Sequence, residues 1–334
     1  MQPPDIRDLE VFSLIGAGAC GKVYRARDSA GRDLAVKVFE PASVNRALLE
    51  EVTARLEEGP WPKAGVEEFS ADYRGKQIVR VSQLHADESG GVWTPRSLQH
   101  RLDKFPGEHS WPVVLVILSA LSELHDRRVA HGNLKPGNVF FDGTGRVRLT
   151  DWALGNMPGI TSLDYTDAVL YQPPDQLREP EGYLREKGYR WDVFSFGVLA
   201  FRLLTGAFPR CAATFEQVAP ESGKTRREGI AANHRSIAKS IESQPQVAWP
   251  DGPATPLEKS YRAILERCLS LDASARPGNA GEVLQHFHAA DKELAAEQQR
   301  DAALDQHRRA RRNAWRANIA AGVLAGGVVV LATL

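Results

Sequence analysis

The sequence predicts an α+β chain in two lobes, a small strand-rich lobe followed by a larger helical one, with an apolar helix at the C-terminus. Three observations predict it. Residues 11–38 alternate β-branched and aromatic positions with polar ones, the pattern turns helical from Trp111 onward, and the seventeen residues Asn318–Leu334 carry no charge. A chain of 334 residues, 43% of them hydrophobic, can bury a sizeable core.

Taken in order, residues 11–38 predict strands with "DSAGRD" as a hairpin turn. Residues 43–57 predict a helix, because Val44, Leu48, Val52 and Leu56 recur at i+4, with Ser43 as a possible N-cap. "KQIVRVSQL", 76–84, predicts a further strand, and the polar "ADESGG", 86–91, a loop. "WPVVLVILSALSELHDRR" predicts a buried helix whose basic end suits a helix C-terminus. "NVFF" and "VRLT", joined by "DGTG", predict two short strands, and helical patterns follow at 190–205, 256–270 and 279–298. The polar stretch 207–250 carries no clear pattern, and 287–317 reads as a charged helix.

Composition narrows the function. Lys+Arg and Asp+Glu balance at 42 each, so nothing favours a nucleic-acid partner. Cys20, Cys211 and Cys268 are far apart and odd in number, which disfavours a disulfide framework or a zinc site. The polar N-terminus is no signal peptide. Residues 308–316, "RRARRNAWR", place five arginines before the uncharged tail, which reaches roughly 25 Å as a helix. This arrangement predicts a membrane span at 318–334 with the body of the protein on the cytoplasmic side and Trp315 near the headgroups. A buried C-terminal helix is the alternative. On the membrane reading the chain is tail-anchored or a piece of a longer protein.

Two motifs carry chemistry. "GAGACGKV" sets Gly16, Gly18 and Gly21 in a spacing that lets backbone N–H groups approach phosphate. A strand follows it, whereas a dinucleotide-binding turn leads into a helix. "LAVKVF" places Lys37 inside an apolar strand, where a lone ammonium is costly, so a carboxylate partner is expected from Glu50 or Glu51 on the next helix.

Residues 10–290 resemble a protein kinase domain of the bacterial, eukaryotic-like Ser/Thr type. The resemblance rests on ordered motifs: the glycine loop, "AVK", "HGNLKPGN", "DWA", "YQPPD", "DVFSFGV" and "CLSLDASARP". It implies an N-lobe of about 10–84 and a C-lobe of about 92–290 with ATP between them. A basic linker at 291–317 and the membrane span at 318–334 would follow. It implies nucleotide contacts from Ile15, Gly16, Gly18, Gly21, Val23, Ala35, Lys37, Glu51 and Phe140, with a hinge around Val81–Leu84. It implies Mg²⁺ ligands at Asn138 and Asp151, and phosphoryl contact from Lys135. Asp192 would brace the turn at 131–133, and Arg276 would pair with Asp175.

The sequence departs from this family in its catalytic loop. Asn133 stands where the family has the aspartate that orients the substrate hydroxyl and accepts its proton. A carboxamide can orient but takes no proton, and a general base contributes about 10²–10⁴-fold, or about 3–5 kcal/mol. Gly132 replaces the arginine that clamps an activation-loop phosphate, so phosphorylation of Thr161, Ser162 or Thr166 would find no partner there. Ala153 replaces glycine in "DWA", which is expected to hinder a flip of that segment. Cys20 reads as a small residue at a loop tip. The expectation is a membrane-anchored pseudokinase that binds Mg·ATP and signals to an unidentified protein partner. The alternatives are a weakly active Ser/Thr kinase and a nucleotide-independent module.

Overall fold

The computed structural model describes residues 5–6, 8–18, 20–58, 60–61, 69–74, 77–105, 110–160, 167–185, 188–219 and 234–332. Its small lobe is an antiparallel sheet of β1 (Leu9–Gly18), β2 (Gly21–Asp28), β3 (Asp33–Phe39), β4 (Phe69–Arg74) and β5 (Gln77–Gln83), in the order β1-β2-β3-β5-β4. The β3–β5 register sets Lys37 directly opposite Arg80, and the β2–β3 register sets it opposite Val23. Gly21 is fixed by packing: at φ +152°, a Cβ there would lie 2.2 Å from the Val38 carbonyl oxygen.

Helix α1 (Arg46–Glu57) places Leu48, Val52 and Leu56 in the main core and Leu49 with Phe39 and Leu154. The capping residue is Asn45, not Ser43, which lies in a preceding 3₁₀ turn. Asn45 accepts from the Leu48 N–H at 3.1 Å while its amide donates to the Pro158 carbonyl at 2.9 Å. One side chain therefore starts the helix and ties it to the other lobe. The segment expected as a loop at 86–91 is instead a hairpin of β6 (Ala86–Ser89) and β7 (Val92–Pro95), turned by Gly90 and Gly91 at φ +59° and +83°. Its polar composition hid it, because the strands are largely solvent-facing.

The large lobe is helical. It contains α2 (Ser110–Asp126), a ribbon of β8 (Val139–Phe141) and β9 (Val147–Leu149), and the short α3 (Pro174–Arg178). These are followed by α4 (Gly188–Thr205), α5 (Ala212–Val218), α6 (His234–Glu242), α7 (Pro256–Cys268) and α8 (Ala280–Ala332). Helix α4 is buried on nearly every side, as its run "FSFGVLAF" requires. Helices α5 and α6 fill part of the stretch that carried no sequence pattern; 220–233 lies outside the described residues, as do Thr161, Ser162 and Thr166.

Helix α8 begins in the core, where Phe287 meets Tyr261 and Trp111 at ring separations of 4.7 and 6.2 Å. Beyond Asp291 it runs on as an almost entirely exposed helix, so the expected linker at 291–317 is continuous with it. Among the described residues no helix is long and apolar enough to cross a membrane. The side chains of the predicted span from residue 320 on lie outside the described residues.

Asp175 closes the base of the large lobe. It accepts from Arg276 at 2.7 Å and from the Trp191 indole at 2.9 Å, and the Arg276 side chain is fully buried against Phe194. Removing the guanidinium empties a buried site, frees the Ser270 and Leu271 carbonyls it also binds, and leaves Asp175 without its cation. Arg276→Ala is expected to cost about 3 kcal/mol of stability, read from chemical denaturation midpoints.

Candidate functional site

Between the lobes lies a cleft of ≈ 210 Å³. The small lobe lines it with Ile15, Gly16, Gly18, Gly21, Val23, Ala35 and Lys37, and the large lobe with Asn133, Lys135, Asn138, Phe140 and Asp151. The sequence therefore places all of its nucleotide and metal candidates here except Glu51. The connection between the lobes, expected around Val81–Leu84, enters the wall through Ser82, Gln83, Leu84, His85 and Ala86.

The floor is built from two segments laced together. Asp192, fully buried on α4, accepts from the N–H groups of His131 and Gly132, each at 2.6 Å. That fixes the turn that presents Asn133. Gly132 holds φ +69°, a left-handed backbone that strains any residue with a Cβ, and a Cβ there would also displace the flexible tip of Met157. Burial pushes His131 below the usual imidazole range, and its Nδ1 accepts from the Asn133 N–H at 3.3 Å. Across the gap, Ala153 N–H donates to the His131 carbonyl at 2.8 Å and Asn133 Nδ2 to the Asp151 carbonyl at 3.2 Å.

Asp151 and Ala153 both adopt left-handed backbone, at φ +63° and +55°. For residues with a Cβ this costs about 1–2 kcal/mol apiece, held in place by those bonds and by the fully buried Trp152 between them. Cys20 is buried with Phe39, Val44 and Leu49 beneath the glycine loop, and burial pushes its thiol up, so it serves as a small core residue.

Lys37 does not meet the helix carboxylate expected for it. Glu50 pairs with Arg46 at 2.7 Å and Glu51 pairs with Arg55, both on the exposed side of α1. The helix turns Leu49 and Thr53 inward instead, and Thr53 bonds the Leu49 carbonyl. Glu51 is thereby corrected: it neither lines the cleft nor contacts Lys37. The Lys37 ammonium instead binds Asp151 at 2.5 Å.

Arg80, which sequence reading did not single out, is 3.8 Å from the same carboxylate and stacks over Trp152 and Phe39. The signal was present, since Arg80 interrupts the apolar run "QIVRVSQ" just as Lys37 interrupts "LAVKVF". Burial alone would raise the Asp151 carboxyl, but Lys37 and Arg80 outweigh it and hold it below the ordinary carboxylate range. Among the described residues that line the cleft, Asp151 is the one carboxylate, facing Lys37, Arg80 and Lys135.

The chain matches the protein kinase domain family over residues 89–288. It belongs to that family. Among its relatives, the serine/threonine-protein kinase pkn2 of Myxococcus xanthus is 27% identical over 86% of this chain and 33% of that protein. CBL-interacting protein kinase 16 of Oryza sativa subsp. japonica is 30% identical over 60% of this chain and 44% of that protein. Dual specificity mitogen-activated protein kinase kinase 7 of Homo sapiens is 24% identical over 64% of this chain and 51% of that protein. The chain thus spans about a third to a half of the length of these relatives. The family match begins at residue 89, so the places of the glycine loop and Lys37 in this kinase domain rest on the geometry above.

The donor set suits Mg²⁺ in kind. The Asn138 amide nitrogen donates to the Asn133 carbonyl at 2.7 Å, which leaves its oxygen as the ligand atom, and Asp151 adds a carboxylate. When bound there, the metal would neutralise phosphate charge. Asp151 already has two cations against it, so a metal would compete for that carboxylate.

Because its carboxyl is held low, Asp151 stabilises the fold above the ordinary aspartate range, and the gain is lost as pH falls through its folded-state value. Asp151→Asn removes the gain at every pH. The gap in melting temperature between unaltered and variant protein is expected to be constant above about pH 5 and to shrink below about pH 4.

Proposed function

We propose that this kinase domain is a pseudokinase: it binds ATP in the cleft, is impaired in passing the γ-phosphoryl group on, and signals through its folded surface to a protein partner. One observation carries this reading. Asn133 occupies the position of the proton-accepting aspartate, and no second carboxylate among the described lining residues reaches that place, since Asp151 is engaged with Lys37 and Arg80. Asn133 also works as a tie: its amide donates to the Asp151 carbonyl, a bond that an aspartate would replace with repulsion between oxygens.

A weakly active Ser/Thr kinase is the second reading. It is favoured by the convergence of Lys37, Lys135, Asn138 and Asp151 on one cleft and by the names of the relatives. Phosphoryl transfer depends chiefly on positioning and electrostatics, so such a site retains part of the machinery. Thermal shift with ATP and radiolabelled phosphate incorporation separate the readings. The expected outcome is a rise in melting temperature that Lys37→Ala abolishes, with incorporation at the level of the Lys37→Ala variant. Lys37-dependent incorporation supports the second reading; no shift at millimolar ATP supports a nucleotide-independent module.

The same reading anchors the domain to a cell membrane, with the body cytoplasmic. Its support is sequence: five arginines at 308–316, exposed on α8, directly before eighteen uncharged residues, 317–334. The full chain is expected to float with phospholipid vesicles and to stay bound in high salt, whereas a chain ending at residue 307 stays in the soluble fraction. Release by salt alone counts against a spanning tail.

A further inference from the structure

Arg210 lies in the loop that joins α4 to α5 and is 5% exposed. Its Nη2 donates to the Pro245 carbonyl at 3.1 Å. Its Nε and Nη1 are buried and meet no acceptor among the described residues. No carboxylate among those residues pairs with it. The groups whose charge acts on it are the Cys211 thiol, which burial pushes up and so keeps neutral, and Arg276, a second cation. Arg276 is itself answered by Asp175. A guanidinium stays charged when buried, and a buried charge without a counter-charge is costly. The loop is nevertheless fixed on both flanks. The Pro209 carbonyl accepts from the Ala248 N–H at 3.1 Å, and the Cys211 N–H donates to Gln244 Oε1 at 2.7 Å. Arg210 lines a cavity of ≈ 10 Å³ whose walls include Phe194, Phe208, Phe215 and Ile241. That is room for about one water-sized body. The cavity shares no lining residue with the nucleotide cleft.

We propose that this cavity binds one small monatomic anion, chloride in ordinary solution, through Nε and Nη1 of Arg210. The volume is too small for a phosphate or a carboxylate. A water molecule can accept from both N–H groups, but it carries no charge to set against the guanidinium. Chloride gives up its hydration more cheaply than smaller or more highly charged anions, which suits the apolar walls. The ion would act as the missing counter-charge of Arg210 and stabilise the folded large lobe by mass action. The site is independent of the nucleotide-binding reading and stands whether or not the cleft takes ATP.

The test follows the melting temperature of the full chain as sodium chloride replaces sodium gluconate at constant ionic strength, so that screening is unchanged. The expected outcome is a rise that saturates as a single site does and is absent from Arg210→Gln. For a dissociation constant of about 10 mM, chloride at about 150 mM shifts the folding equilibrium about 16-fold. Equal melting temperatures in the two salts overturn the proposal. So does a rise of the same size in Arg210→Gln. A rise that keeps climbing to about 1 M is a bulk salt effect and overturns it as well. Should Arg210→Gln fail to fold, crystals of the unaltered protein soaked in sodium bromide decide. An anomalous peak within hydrogen-bond distance of Arg210 Nε and Nη1 supports the site. No peak there counts against it, wherever else bromide is found.

Discussion

The carboxylate of Asp192 is the constraint on which the site's geometry depends. It is fully buried on α4, yet it is satisfied by the His131 and Gly132 N–H groups and by His125 Nε2 at 3.0 Å. His125 Nδ1 accepts from the first N–H of α8, at Ala280, so the imidazole proton sits on Nε2 and points at Asp192. A buried carboxylate without such donors would be costly; with them it binds α2, α4, α8 and the 131–138 loop into one unit. The position of Asn133 follows from that unit. So does the position of Asp151, through the bonds that Ala153 and Asn133 make across the floor.

On this frame the cleft gathers cationic side chains. The small lobe contributes Lys37 and Arg80 from adjacent strands, the large lobe contributes Lys135, and Asp151 is the one carboxylate among the described lining residues. The arrangement is consistent with a pocket that grips phosphate. Asn133, which is part of the floor, is a carboxamide and takes no proton. Gripping a phosphate and accepting a proton are separable in physical terms. The first needs fixed positive charge, and the second needs one titratable acceptor at one atom.

Much of the fold was legible in the sequence because its signals are local. The alternation in 11–38, the i+4 repeat of Leu48, Val52 and Leu56, and the continuous apolar run of α4 each specify an element from neighbours in sequence. The misses have local causes as well. The β6–β7 hairpin is polar because its strands face water, and the cap fell to Asn45 because that side chain has a second partner in the large lobe, at Pro158.

The sequence by itself determined the residue types in the site: the glycine loop, Lys37, Asn133, Asn138 and Asp151. It also determined the order of elements that brings them together. Only the tertiary structure decided which charges meet. From sequence, Lys37 called for a carboxylate, and Glu50 and Glu51 were equally near along the chain. The rotation of α1 about its axis turned Leu49 and Thr53 inward and left both glutamates to arginines one helical turn away. The β3–β5 register set Arg80 beside Lys37, and so within reach of Asp151, 71 positions further along the chain. Charge pairing depends on distance in space, and helix rotation and register set that distance only when the core has packed.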